Sequence, residues 1–289
     1  MNAKSVFLTS AFLITALSPG LARAAPQLSA IDLAPHRAIY DMTLREASAA
    51  SNVSDVRGRL VFDFEGSGCA GYTLKSRLVT EVVDREGNST VTDLRSSTWE
   101  NSAGDSFRFE NSQYIGPQLS EQVSGEAARR HRVNGIEVNL KEPARRKLKF
   151  DERALFPTQH SIAILQAAER GDQVLQADIF DGSEQGNKLF KTTTFIGKPI
   201  LPGAKPQSAS LENSGRLDEL KSWPVSISYY DSFTNPAQDD GLPTYELSFK
   251  LFANGVSRDL LINYGTFLIR GELTRIDFHE PAKCPAKKQ

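Results

Sequence analysis

The chain has 289 residues, 34 of them lysine or arginine, 35 aspartate or glutamate and 4 histidine, a formal net charge of −1. So even a balance excludes a partner held by bulk charge, nucleic acid above all. Only two residues are cysteine, and past the first two dozen positions no run is long and apolar enough to be a transmembrane helix.

The N-terminus reads as a secretory signal. Lys4 opens it, Val6 to Leu17 form an apolar stretch, Pro19 and Gly20 end the helix, and Ala22-Arg23-Ala24 is a small-x-small cleavage site. Cleavage after Ala24 leaves residues 25–289 and removes Lys4 and Arg23 but no acid, so 32 basic residues face 35 acidic ones, a formal charge of −3. No cysteine near the site offers a lipoprotein anchor. Both cysteines, Cys69 and Cys284, survive cleavage, and an even count in an exported chain favours a disulfide. The alternatives are two free thiols or a metal pair, but two cysteines without neighbouring histidines do not make a zinc site.

From there the dominant period is two. Leu60, Phe62 and Phe64 alternate with polar neighbours, as do Tyr72, Leu74 and Leu78, then Phe107 and Phe109, then Ile136, Val138 and Leu140. Such alternation marks strands with one packed and one wetted face, as antiparallel sheets allow. Asn134-Gly135 is a two-residue hairpin signal, and Glu86-Gly87-Asn88, Ala103-Gly104-Asp105 and Asp181-Gly182 punctuate other strand pairs. One segment breaks the period. Pro157 or Thr158 opens a helix that Gly171 closes after Arg170, and Ile162, Ala163, Ile164, Leu165, Ala167 and Ala168 leave it almost no polar face. A helix apolar nearly all round is a buried one. The stretch Lys198 to Ser222, with three prolines and two glycines, shows no period and reads as a long loop. Beyond a second loop, Thr234 to Pro243, the residues Tyr245, Leu247, Phe249 and Leu251 resume the alternation, and Asn254-Gly255 repeats the hairpin signal. More than ten strands in one meander predict a curled sheet, since accumulated twist discourages a flat one. The expected fold is all-β: a single domain over residues 25–289, a long curled antiparallel sheet, open and barrel-like, around one buried helix at about 157–170.

Motifs that carry chemistry are weak. Gly66-Ser67-Gly68-Cys69-Ala70-Gly71 matches the dinucleotide fingerprint in form, but Gly71 to Leu78 alternate like a strand where that motif needs a helix. His36, His131, His160 and His279 form no metal-ligand spacing, and His160 and Ser161, adjacent on a helix, point in different directions. Arg129-Arg130-His131-Arg132 and Arg145-Arg146-Lys147 with Lys149 flank a predicted hairpin, either as a solvated strand face or as a patch for anionic lipid or glycan. Asp239-Asp240 lacks the ligand series of a calcium loop, and the sequons at Asn52 and Asn88 are read as coincidental, as such patterns ordinarily are in a bacterial cell. The residues predict no catalytic group, no metal and no cofactor.

Several segments resemble the EipB family of cell-envelope integrity proteins. They are His36-Arg37-Ala38-Ile39-Tyr40-Asp41, Gly58-Arg59-Leu60-Val61, Cys69-Ala70-Gly71-Tyr72-Thr73, Thr92 to Glu100 with Phe107-Arg108-Phe109, Leu155-Phe156-Pro157-Thr158, and Asn254 to Leu260, in the family's order from about His36 to Cys284. The resemblance implies a periplasmic protein of alphaproteobacteria folded as a β-spiral with a central helix, and a family disulfide carried by Cys69 and Cys284. It also implies envelope integrity under stress without known enzymatic activity, and action with a periplasmic tetratricopeptide-repeat protein. Three readings of function follow: a non-enzymatic integrity factor acting through protein contacts, a carrier or sensor of lipid or another amphiphile in the concave face of the sheet, and an enzyme, for which no constellation is visible.

Overall fold

The computed structural model describes residues 31–129, 135–150, 153–203, 215–231 and 241–284. The signal segment, the run Arg130-His131-Arg132, Asn134 and the pair Asp239-Asp240 lie outside the described residues.

The first described strand lies in the middle of the sheet. β1 (His36–Ala47) is followed by β2 (Val53–Ser67), β3 (Gly71–Asp84), β4 (Ser89–Glu100), β5 (Ser106–Ile115), β6 (Gln118–Arg129), β7 (Ile136–Glu142) and β8 (Arg146–Phe150), each antiparallel to the one before. β9 (Ala154–Leu155) then starts at the opposite edge. After α1 (Pro157–Arg170), the strands β10 (Val174–Ile179), β11 (Phe190–Ile196), β12 (Ser222–Asp231), β13 (Tyr245–Phe252), β14 (Ser257–Asn263) and β15 (Phe267–Phe278) step back until β15 pairs with β1. Among the described residues, fifteen strands form one sheet whose two ends, β8 and β9, are not hydrogen-bonded to each other.

This order forces the curl. Laid flat, fourteen strand spacings would separate β8 from β9 by about 67 Å. Only residues 151–153 lie between Phe150 and Ala154, a length of chain that reaches about 14 Å at full extension. The sheet must therefore roll until its edges are neighbours. Phe150, Ala154 and Phe156 accordingly share one buried cluster with Phe107 and Phe109 of β5 and with Phe180.

The expected antiparallel sheet is present with one exception. β9 runs parallel to β10, with α1 as the crossover between them. Pro157 occupies the first turn of α1, and Gly171, at φ 83° and ψ 16°, ends it; Asp172 N donates to the Ala167 carbonyl at 2.9 Å. The helix fills the concave side: Ile164, Leu165, Ala167 and Ala168 pack with Phe64 and Tyr72 of β2 and β3 and with Trp223, Val225, Ile227 and Leu251 of β12 and β13. A third cluster, around Tyr40, Met42, Leu260 and Ile276, packs against the middle of the sheet, where β1 pairs with β15.

Two local expectations differ from the structure, and the Asp181-Gly182 break between paired strands is present in a longer form. The stretch Lys198 to Ser222, read as a loop, is held in its described parts: Ile200 bridges Ser222, and α2 (Gly215–Asp218) buries Leu217 completely. A four-residue helix is too short to leave a period in sequence. Asn254-Gly255 marks a hairpin, but its turn is longer than two residues: Gly255 N donates to the Phe252 carbonyl at 2.8 Å and Phe252 N to the Val256 carbonyl at 2.9 Å, and the Asn254 carbonyl accepts from Ala34 N at 2.9 Å. Asp181-Gly182 opens a ten-residue connection that tucks inward beneath β5 and β6. Gly182 and Gly186 have positive φ, and a Cβ at Gly186 would stand 2.6 Å from Leu140 Cδ2.

Candidate functional site

The strand period decides what faces the interior. Leu60 of β2 stands opposite Leu78, Leu94 and Gln113 in successive strands; Phe62 leads to Ser76, Ser96 and Asn111, and Phe64 to Leu74, Thr98 and Phe109. Apart from the three phenylalanines, these rows form one wall of a cavity of about 570 Å³, faced by Pro157 of α1, the turn residues Asp181, Ser183 and Glu184, and Tyr245 of β13. Its volume falls within the about 300–1,000 Å³ of small-molecule sites. Leu94, 40% exposed, marks where it opens to solvent.

Most polar groups around it hold the fold. Ser96 donates to Asn111 Oδ1 at 2.7 Å, and Asn111 Nδ2 donates to the Gly182 carbonyl at 3.0 Å, tying β4 and β5 to the inward connection. Gln185 N donates to Glu121 at 3.2 Å, and Lys188 pairs with Asp231 at 2.7 Å and Glu184 at 3.7 Å. Asp181, enclosed by protein yet bordering the cavity, accepts from Ser183 N at 2.9 Å; burial pushes its carboxyl above the usual range, with that amide opposing. Tyr229 and Tyr245 stack at 4.4 Å, and burial raises both hydroxyls well above their usual range, with the Asp181 charge adding to each.

Below the cavity Glu100 ends β4 on the inward face, 1% exposed. Its carboxylate accepts from Thr158 N at 2.5 Å and Gln159 N at 3.3 Å, capping α1, whose N-cap residue Phe156 offers no side-chain bond. Burial raises the Glu100 carboxyl, opposed by those amides and by the charge of Arg129. Sequence reasoning assigned no role to this residue. The signal was its parity, since Glu100 shares a face with Leu94, Ser96 and Thr98.

The residues singled out from sequence do not converge. Cys69 and Cys284 are joined, S–S 2.00 Å and Cα–Cα 5.3 Å, closing 215 residues. The bridge lies at the β2–β3 turn, where Ala282 N also donates to the Gly66 carbonyl at 3.1 Å. The glycine series from Gly66 to Gly71 is followed by β3, so it shapes this turn and offers no helix start to a phosphate. His36 Nδ1 lies 2.7 Å from the Ala34 carbonyl, and His279 Nε2 lies 3.0 Å from Asp63. His160 is buried with no partner for Nε2, and burial pushes it down to about 4. Ser161 donates to the Pro157 carbonyl at 3.1 Å and does not meet His160. Arg129 turns inward to donate to the Ala154 carbonyl at 2.7 Å, whereas Arg145, Arg146, Lys147 and Lys149 stand exposed at and just before edge strand β8. Charge there blunts an open sheet edge. Among the described residues no three His, Cys, Asp or Glu side chains gather as a metal site, and no helix is long and apolar enough to cross a membrane.

A rolled, mostly antiparallel sheet with a buried helix and an interior cavity defines a β-barrel-like protein that is not closed into a barrel. The chain belongs to the EipB-like family, whose model matches residues 27–280. It is 37% identical over 264 residues, 91% of each chain, to the cell envelope integrity protein EipB of Brucella abortus (strain 2308). It also matches the crystal structure of a β-barrel-like protein of a domain of unknown function from Brucella abortus. There the TM-score is 0.77 and the identity 35%, over 87% of this chain and all of that one. These relations support a role in cell-envelope integrity, and with the disulfide they suggest an envelope protein.

Proposed function

We propose that the chain is exported to the periplasm, its signal removed after Ala24, and works there as one domain, a non-enzymatic factor that maintains the cell envelope under stress through protein contacts. The observation that carries this reading is the 37% identity across nearly the whole chain to a protein named for envelope integrity. A disulfide that closes 215 residues suits an oxidising compartment. Action by binding is supported by the work the buried polar groups already do: Glu100 caps α1, Asn111 ties the inward connection, and His36 holds the Ala34 carbonyl. For the contact surface we look to the outer face, where Val174 and Phe195 are cross-strand partners, 51% and 54% exposed, beside Pro224. A periplasmic tetratricopeptide-repeat protein is the partner class the family resemblance implies.

The second reading, a carrier or sensor of an amphiphile, is favoured by the interior cavity and its leucine rows. Native mass spectrometry of the protein purified from its own envelope separates the two. A co-purifying protein supports the first and a co-purifying lipid the second; a chain that emerges alone under mild extraction contradicts both.

A further inference from the structure

The cavity has a sided chemistry. Leu60, Leu74, Leu78 and Leu94 supply its apolar wall. The ionisable side chains on its lining are Glu121, Asp181, Glu184, Arg95 and the phenol of Tyr245. Arg95 is committed elsewhere: its guanidinium donates to Asp93 at 2.7 and 3.1 Å and lies 4.6 Å over the Tyr114 ring. Asp93 and Tyr114 occupy the strand positions opposite in parity to Leu94 and Gln113, and so belong to the outer face. Lys188, the cation next to the acidic turn, is shared between Asp231 and Glu184. Among the described residues, the head of a ligand lying in this cavity therefore meets three carboxyl groups and no uncommitted cation on the lining.

Resting on the amphiphile reading above, we infer that the cavity takes the hydrocarbon chain of an amphiphile whose head group donates hydrogen bonds, cationic or uncharged, and that it discriminates against an anionic head. The hydrocarbon gains by leaving water along the leucine rows. A carboxylate or phosphate head brought beside Asp181, enclosed by protein, and Glu184, on the exposed rim, is a like charge and finds no uncommitted guanidinium or ammonium among the described residues of the lining. An ammonium or hydroxyl head finds acceptors in the same groups.

The test is titration calorimetry of the disulfide-bonded protein with three probes of equal chain length, each below its micellar concentration: dodecylammonium, dodecyl maltoside and dodecanoate. Dodecylammonium and the maltoside should bind, and dodecanoate at least tenfold more weakly. Leu78→Trp, which fills the apolar wall, should remove binding of all three while circular dichroism stays that of the wild type. The double variant Asp181→Asn with Glu184→Gln keeps the acceptor to Ser183 N and should raise dodecanoate affinity relative to dodecylammonium, a ratio that reads the acids independently of Leu78. Dodecanoate binding as tightly as dodecylammonium overturns the inferred preference and leaves the amphiphile reading standing. Failure of all three probes to bind overturns both.

Discussion

The Glu100 carboxylate accepts the backbone amide of Thr158 at 2.5 Å, joining the end of β4 to the first turn of α1 across 58 residues. With the bond from Gln159 N, this contact caps the start of the helix inside the rolled sheet, since Phe156 supplies no side-chain cap of its own. Replacing Glu100 by alanine strands two helical amides beneath the cavity and should cost about 3 kcal/mol in urea unfolding. Glu100→Gln keeps an acceptor and should cost clearly less. Equal midpoints for wild type and Glu100→Ala would show that the cap contributes nothing.

The same carboxyl gives a pH signature. Burial raises its folded pKa above the unfolded value, so the native state binds the proton more readily. The corresponding contribution is fully present below the usual carboxylate range and is lost as the pH rises through the folded pKa. The stability of the wild type relative to Glu100→Gln should therefore fall over that rise. A difference that does not change with pH would contradict the assignment.

His160 works in the opposite sense. Its pKa is pushed from 6.5 down to about 4 by burial, so between those values the unfolded chain takes up a proton that the native state refuses. Stability should rise with pH across this window, by about 3 kcal/mol at most. His160→Leu should flatten the acid side of the profile and gain on the wild type as the pH falls from 6.5 to 4. An unchanged profile would mean that the imidazole is solvated.

The disulfide ties the C-terminal segment to the β2–β3 turn. Chain entropy for so long a loop sets an upper value of about 5 kcal/mol on its contribution. Cys69→Ser with Cys284→Ser should lower the melting temperature and the steady-state abundance in the cell. Both thiols alkylating in native, non-reduced wild type would refute the bridge.

Much of the fold was legible in the sequence, because a strand with one wet face writes its period in three or four residues, as Leu60, Phe62 and Phe64 do. The helix was legible because Pro157 and Gly171 bracket an apolar run too long for a strand. What local pattern could not give was pairing at a distance. The parallel β9–β10 contact and the meeting of β8 with β9 depend on where the chain jumps, at residues 151–153, and nothing in the period announces a jump. The cavity was hidden for the same reason, since its walls come from β2 to β6 on one side and from Pro157, Asp181 and Tyr245 on the other. Glu100 was readable in part: a charge at inward parity announces a buried partner, although not which one.

We propose that the protein maintains the envelope by binding rather than by turnover, and survival of a deletion strain in detergent is the decisive measurement. Deletion should sensitise the cell to detergents and cell-wall antibiotics without blocking a metabolic step. Wild-type protein should restore survival, and so should each of His36→Ala, His131→Ala, His160→Ala and His279→Ala wherever it accumulates to wild-type abundance. A deletion strain as resistant as its parent, or a histidine variant present at normal levels that restores nothing, would contradict the account.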